Sequence, residues 1–260
     1  MADIQAVIFD VDGVLVDSPH ERAWRETLEH LMTTEWRALE PQSRYSPERF
    51  TTELYQLKLA GKARLDGARA ALEHFGVPYP DRYAPVYAER KQERLLQLIQ
   101  DGHFEPFPDA LRFLLAVKAR RLPVAVASSS KNANLLLALI DMHDFVARQG
   151  ARYPFVQPST TLLELFDHNV CGRDFPSKPR PDIFLAAARG LEVAAERCLV
   201  VEDAPSGIRA AKAGGMKTLG VARLGDHDLL VAANADRVVR SLDEVIVADL
   251  AAGRLDRRAA

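Results

Sequence analysis

Asp10 and Asp12 stand one residue apart, and Gly13 follows them directly. Two carboxylates at that spacing repel unless a cation or a proton comes between them. Magnesium takes oxygen ligands and commonly binds through one or two carboxylates plus a substrate phosphate. Asp10 would then hold the metal and attack phosphorus, while Asp12 protonates the leaving oxygen and later activates the next acceptor. Taken alone, Asp10-Val-Asp12-Gly13 reads equally well as a polar turn closing a strand. A calcium loop is excluded sooner, because the glycine is in the wrong place and no helix precedes the acids.

Three further groups could serve the same reaction. Ser128-Ser129-Ser130-Lys131-Asn132 offers hydroxyls and backbone amides at a helix start, which suit a phosphate oxygen and suit helix capping as well. Lys178, in Ser177-Lys178-Pro179-Arg180-Pro181-Asp182, could neutralise both the Asp10 carboxylate and the phosphoryl group, although a single lysine is usually a solvated charge. Glu202 and Asp203 are adjacent acids, of which one or both could complete a magnesium shell.

The elements that must position these groups follow from periodicity. Residues 4–9 form a compact β-branched and aromatic run that reads as a buried strand ending at the two aspartates. From 18 to 100 the spacing is helical: Trp24, Leu28 and Leu31 make one stripe, Phe50, Leu54 and Leu57 another, and Leu72 with Phe75 a third. Beyond Pro108 the pattern alternates. Helices are expected over 110–120, 132–142, from Pro181-Asp182 onward and over 206–213, with strands over 124–127, 199–201, 218–221 and 237–239. Ser241 to Glu244 reads as a capping box on a last helix.

Strands separated by helices imply an α/β fold, a mostly parallel sheet covered on both faces, with the helical segment inserted after the first strand. In such sheets ligands bind beyond the carboxyl ends of the strands. Every group singled out above comes just after a predicted strand or just before a predicted helix.

Composition narrows the partners. The 260 residues are 48% hydrophobic and 27% charged, and 34 basic against 36 acidic residues leave a net charge of -2. No broad basic face for nucleic acid or an anionic membrane is expected, so the ligand should be small. Two cysteines, Cys171 and Cys198, lie outside any zinc or disulfide pattern and fit a reducing, cytoplasmic setting. No apolar run approaches the length of a membrane span or a signal-peptide core.

The four groups in this order resemble the signature of the haloacid dehalogenase superfamily, and the likeness covers nearly the whole chain. It implies a Rossmann-like parallel sheet core, residues 1–17 and 104–260, an α-helical cap domain inserted over 18–103, and an aspartyl-phosphate intermediate on Asp10 with Mg2+ held by Asp10, Asp12, Glu202 and Asp203. Dehalogenating members lack the second aspartate, so Asp12 points to phosphoryl transfer. Within the superfamily the chain is similar to the β-phosphoglucomutase branch at His20 and Trp24, at Ser128-Ser129-Ser130-Lys131-Asn132, and at Lys178-Pro179-Arg180-Pro181-Asp182-Ile183-Phe184. A mutase needs a second phosphate site, for which Lys131 and Asn132 with Arg64 or Lys62 of the cap are the expected residues; Arg49 is an alternative.

Two departures from that pattern stand out. The segment between Asp17 and His20 is shorter, and the stretch 144–161, with Arg152-Tyr153-Pro154-Phe155, is longer and reads as an ordered excursion. The expected substrate is a small phosphorylated metabolite, a sugar phosphate, acted on by a phosphomutase or, as the alternative, a phosphatase; the chain is expected to be a monomer or a weak homo-oligomer. A signalling receiver module gathers similar residues but is shorter and has no helical insert after its first strand.

Overall fold

A computed structural model describes residues 3–250. The chain divides into two compact units, one built from residues up to Asp17 and from Pro106 onward, the other from Ser18–Glu105.

The first unit is organised by six parallel strands: β1 (Ala6–Phe9), β2 (Val124–Val126), β3 (His168–Asn169), β4 (Cys198–Glu202), β5 (Lys217–Val221) and β6 (Arg237–Val239), in the order β3-β2-β1-β4-β5-β6. β1 pairs on one side with β2, Ile8 opposite Ala125, and on the other with β4, Ile8 opposite Val200. Each residue of β1 is fully buried, as a central parallel strand requires. Burying a side chain such as Val7, Ile8 or Phe9 contributes about 1.5–3 kcal/mol, which fixes the strand and therefore the position of the residue that follows it. The strand order reverses beside β1, so the carboxyl ends of β1 and β4 border the crevice where this sheet type binds ligands.

The second unit holds four helices, α1 (His20–Thr33), α2 (Thr52–Lys58), α3 (Arg64–His74) and α4 (Pro80–Gln100). Trp24, Leu28, Leu31, Phe50, Leu54, Leu72 and Phe75 pack into its apolar core, where Phe50 stacks on Phe75 at 6.0 Å. Leu57 departs from the expected stripe: α2 is only two turns long, and Leu57 points outward, 42% exposed.

The helices of the first unit are α5 (Pro108–Ala119), α6 (Ala133–Ala138), α7 (Met142–Arg148), α8 (Asp182–Gly190), α9 (Pro205–Ala213), α10 (His227–Ala232) and α11 (Val247–Leu250). The single helix expected over 132–142 is two, because Asp141 starts a new one: its side chain accepts the amide of Asp144 at 2.8 Å, an N-cap. The Ser241–Glu244 capping box is present but closes a single 3-10 turn, Leu242–Glu244. β3 was not legible in the sequence, since two polar residues carry no strand period; Asp167 and Val170 bond to β2 through the carbonyl of Val124 and that of Val126. The 144–161 excursion holds α7 and a turn in which the rings of Tyr153 and Phe155 lie 5.3 Å apart. Among the described residues no helix is long and apolar enough to cross a membrane.

Candidate active site

Asp10 is the residue that β1 delivers, its amide bonded to the carbonyl of Val201 in β4 at 3.0 Å. Its Oδ1 accepts a hydrogen bond from Lys178 Nζ at 2.7 Å, and the same ammonium donates to Glu202 Oε1 at 2.5 Å. Lys178 has no exposed side-chain surface and lies 4.8 Å from the centre of the Phe184 ring; the Lys178–Pro179 peptide is cis. Burial would push its ammonium down, yet the Asp10 and Glu202 carboxylates outweigh burial and hold its pKa above the ordinary value. The lysine is therefore charged, and residues 10, 178 and 202, far apart in sequence, form one buried ionic cluster.

Glu202, expected to help complete a metal shell, receives the Lys178 ammonium on Oε1. Its second oxygen accepts the amide of Ala204 at 2.7 Å. Gly207, in the first turn of α9, makes room for it, since a Cβ there would overlap Oε1. Glu202 thus helps to orient Lys178.

Asp12 lies partly buried in the turn after β1, and Ser128 Oγ donates to its Oδ2 at 3.4 Å. The Ser128 hydroxyl also accepts the amide of Ser130 at 3.0 Å, and Ser130 Oγ accepts that of Asn132 at 3.3 Å. The serine run thus folds on itself at the end of β2 and faces Ser128 toward the acids. Ser129 is half-buried there. Asn132 is buried at the start of α6, whereas Lys131 is exposed and pairs with Asp174 at 3.3 Å.

Gly13, at φ 81°, brings the turn against Asp203: a Cβ at this position would overlap Asp203 Oδ2. Burial first, then Glu202, Asp10 and Asp226, raise the Asp203 carboxyl well above its usual range. Asp10 is pushed up to about 7, mainly by burial, with Glu202 and Asp12 adding to the effect and Lys178 opposing it. Asp10 and Glu202 thus share one ammonium with Asp12 and Asp203 nearby in sequence, and that excess of acids suits a cation. The donors are all oxygen, as a hard dication prefers. Among the described residues no three acid, imidazole or thiol side chains are gathered so that they could hold a metal ion by themselves. Magnesium does not require such a set, because it retains water and accepts phosphate oxygens.

The remaining predicted residues belong to the helical unit. His20 opens α1 with its Nδ1 3.0 Å from Lys91 Nζ. Trp24 departs from a substrate-contacting role: it is 4% exposed, its ring packs edge-on against Tyr87 at 4.9 Å and under Lys91, and its carbonyl accepts the Tyr87 hydroxyl at 2.7 Å. These are the contacts of a core residue. Arg64, half-buried, is the first residue of α3, and Arg49 donates to the Arg44 carbonyl at 2.9 Å. Missed by sequence reasoning were Gly207, Asp109 and Arg223; for a lone arginine after a strand no sequence signal exists.

A profile of haloacid dehalogenase-like hydrolases matches residues 4–215. The chain belongs to that family. It is 33% identical to a β-phosphoglucomutase of Mycobacterium bovis, over 95% of this chain and 90% of the relative. It is 29% identical to a probable pseudouridine-5'-phosphatase of Drosophila melanogaster, over 82% and 79%. Among solved structures it matches an archaeal β-phosphoglucomutase from Pyrococcus sp. strain ST 04, with a TM-score of 0.68 and 30% identity, covering 96% of this chain and 99% of that one. This haloacid dehalogenase-like hydrolase is an enzyme of the phosphatase and phosphomutase kind, and a mutase and a phosphatase both stand among its relatives.

Proposed function

We propose that the protein is a magnesium-dependent phosphomutase of β-phosphoglucomutase type, working through an aspartyl phosphate on Asp10. The observation that carries this reading is the buried Lys178 ammonium held between Asp10 and Glu202, with Ser128 facing Asp12 across the same turn. Lys178 fixes the rotation of the Asp10 carboxylate and offsets the repulsion between that carboxylate and an anionic phosphoryl group. Asp10 attacks phosphorus, and the bond to the sugar oxygen breaks as Asp12 gives that oxygen its proton. In the second half Asp12 takes the proton of the acceptor hydroxyl, which receives the phosphoryl group and frees Asp10. Ser128 holds a phosphate oxygen during both transfers. Asp10, Asp12 and Asp203 would hold magnesium, which would supply the charge that one lysine cannot.

A mutase must also grip the phosphate that is not reacting, a role that falls to Lys131 and Asn132 at the end of β2. The resemblance of Ser128-Ser129-Ser130-Lys131-Asn132 to the mutase branch supports this assignment. The phosphatase reading, with water as the acceptor, is favoured by the pseudouridine-5'-phosphatase relative. Incubation with β-glucose 1-phosphate, magnesium and a trace of the 1,6-bisphosphate separates the two. Glucose 6-phosphate without net phosphate release is expected, and phosphate release without isomer would replace the mutase with a phosphatase.

A further inference from the structure

Three consecutive carbonyls in the turn after Asp12 are each capped from outside the turn. Arg223, two residues beyond β5, donates from Nε to the Gly13 carbonyl at 3.0 Å and from a terminal nitrogen to that of Val14 at 3.2 Å. The amide of Phe107 donates to the carbonyl of Leu15 at 2.9 Å. Arg223 and Phe107 are themselves stacked, the guanidinium carbon 3.7 Å from the ring centre. Behind them Asp109 receives both terminal nitrogens of Arg223, at 3.1 and 3.2 Å, and also the Ser241 hydroxyl at 3.0 Å and the Leu242 amide at 2.8 Å. Inside the turn the amides of Val14, Leu15 and Val16 all converge on the carbonyl of Val11. Two of the turn's outward carbonyls are therefore held by Arg223, whose ion pair with Asp109 is about nine-tenths buried.

We infer that Arg223 is a positioning residue for phosphoryl transfer: braced by Asp109 and Phe107, it fixes the turn that sets Asp12 and Gly13 against Ser128 and Asp203. The inference rests on the proposed chemistry of Asp10 and Asp12. A planar fork of five donors is needed to reach two carbonyls and a carboxylate at once, and an ammonium cannot span them. Displacing a catalytic group by about 1 Å costs up to about 100-fold in rate, so the effect should fall on the chemical step. Asp109 matters equally to the brace, because its carboxylate fixes the plane of the guanidinium.

The test compares wild type, R223M and R223K, with p-nitrophenyl phosphate and magnesium as the probe, and follows amide hydrogen exchange of the metal-free proteins. For R223M kcat should fall about 10- to 100-fold while KM changes little, and exchange should quicken at Val14, Leu15 and Val16 but not at Leu199 or Leu219 in the sheet. R223K, which keeps the charge and an ion pair with Asp109, should fold like wild type yet recover little of the rate; it carries the test if R223M does not fold. Wild-type kcat in a variant with unchanged exchange at the turn would overturn the inference, as would exchange that quickens equally throughout the sheet. If wild type turns over neither p-nitrophenyl phosphate nor β-glucose 1-phosphate, the proposed chemistry fails, and the exchange data still decide whether Arg223 holds the turn.

Discussion

Lys178 and Lys131 stand in the same unit and both pair with acids, yet they occupy opposite physical regimes. Lys178 is wholly buried and shared between Asp10 and Glu202 at 2.7 and 2.5 Å. Lys131 is 62% exposed and meets Asp174, itself 94% exposed, at 3.3 Å. A buried pair is costly to desolvate and costly to break, whereas an exposed pair contributes little and exchanges partners readily. The first arrangement suits a charge that must never leave a reacting carboxylate. The second suits a charge that trades an internal acid for the phosphate of a ligand.

The contrast breaks most visibly at Lys178. K178M should abolish turnover and destabilise the protein by about 3–5 kcal/mol, because Asp10 and Glu202 are left buried without a counter-ion; thermal unfolding and turnover check both. If that variant were as stable as wild type, the cluster would not be the ionic core described here. G207A should act on the same cluster from behind, as its methyl must displace Glu202 Oε1. Its loss of turnover should be large, with a stability cost of about 1–3 kcal/mol from overpacking.

Protonation sharpens the comparison next. Asp10 is raised from 3.8 to about 7, so its burial is tolerated in the neutral form at low pH and penalised once it ionises. Stability of the metal-free protein should therefore decline as pH rises from near 4 through about 7. Magnesium held as proposed would take the ionised form, so its affinity should weaken as pH drops below about 7 and binding should release protons, as calorimetry in buffers of different ionisation enthalpy would record. The smallest effect belongs to Lys131. K131A should leave stability within about 0.5 kcal/mol but raise KM for a bisphosphate, and D174N should lower it slightly by removing the competing acid.

How far the sequence disclosed this site depends on the kind of signal each residue carries. Asp10, Asp12 and Ser128 follow apolar runs that cannot be anything but buried strands, so their placement at the carboxyl ends of β1 and β2 was legible from periodicity. Lys178 was legible only in company, for nothing local distinguishes a buried lysine from a solvated one. The contacts of Glu202 with Lys178 and the Ala204 amide were not legible, because sequence shows two adjacent acids and not where their oxygens point. Trp24 was misjudged through resemblance, its ring belonging to the core of the helical unit. Arg223 and Asp109 were invisible, since their partners are backbone carbonyls and a guanidinium more than a hundred residues away.

The central claim is that Asp10 carries the phosphoryl group. Rapid quenching of the enzyme with magnesium and a phosphate donor, followed by mass spectrometry of its peptides, tests it most directly. The account predicts a phosphorylated peptide containing Asp10 in wild type and none in D10N, which should remain folded and inactive. A phosphoryl group on another residue, or turnover by D10N at the wild-type rate, would contradict it.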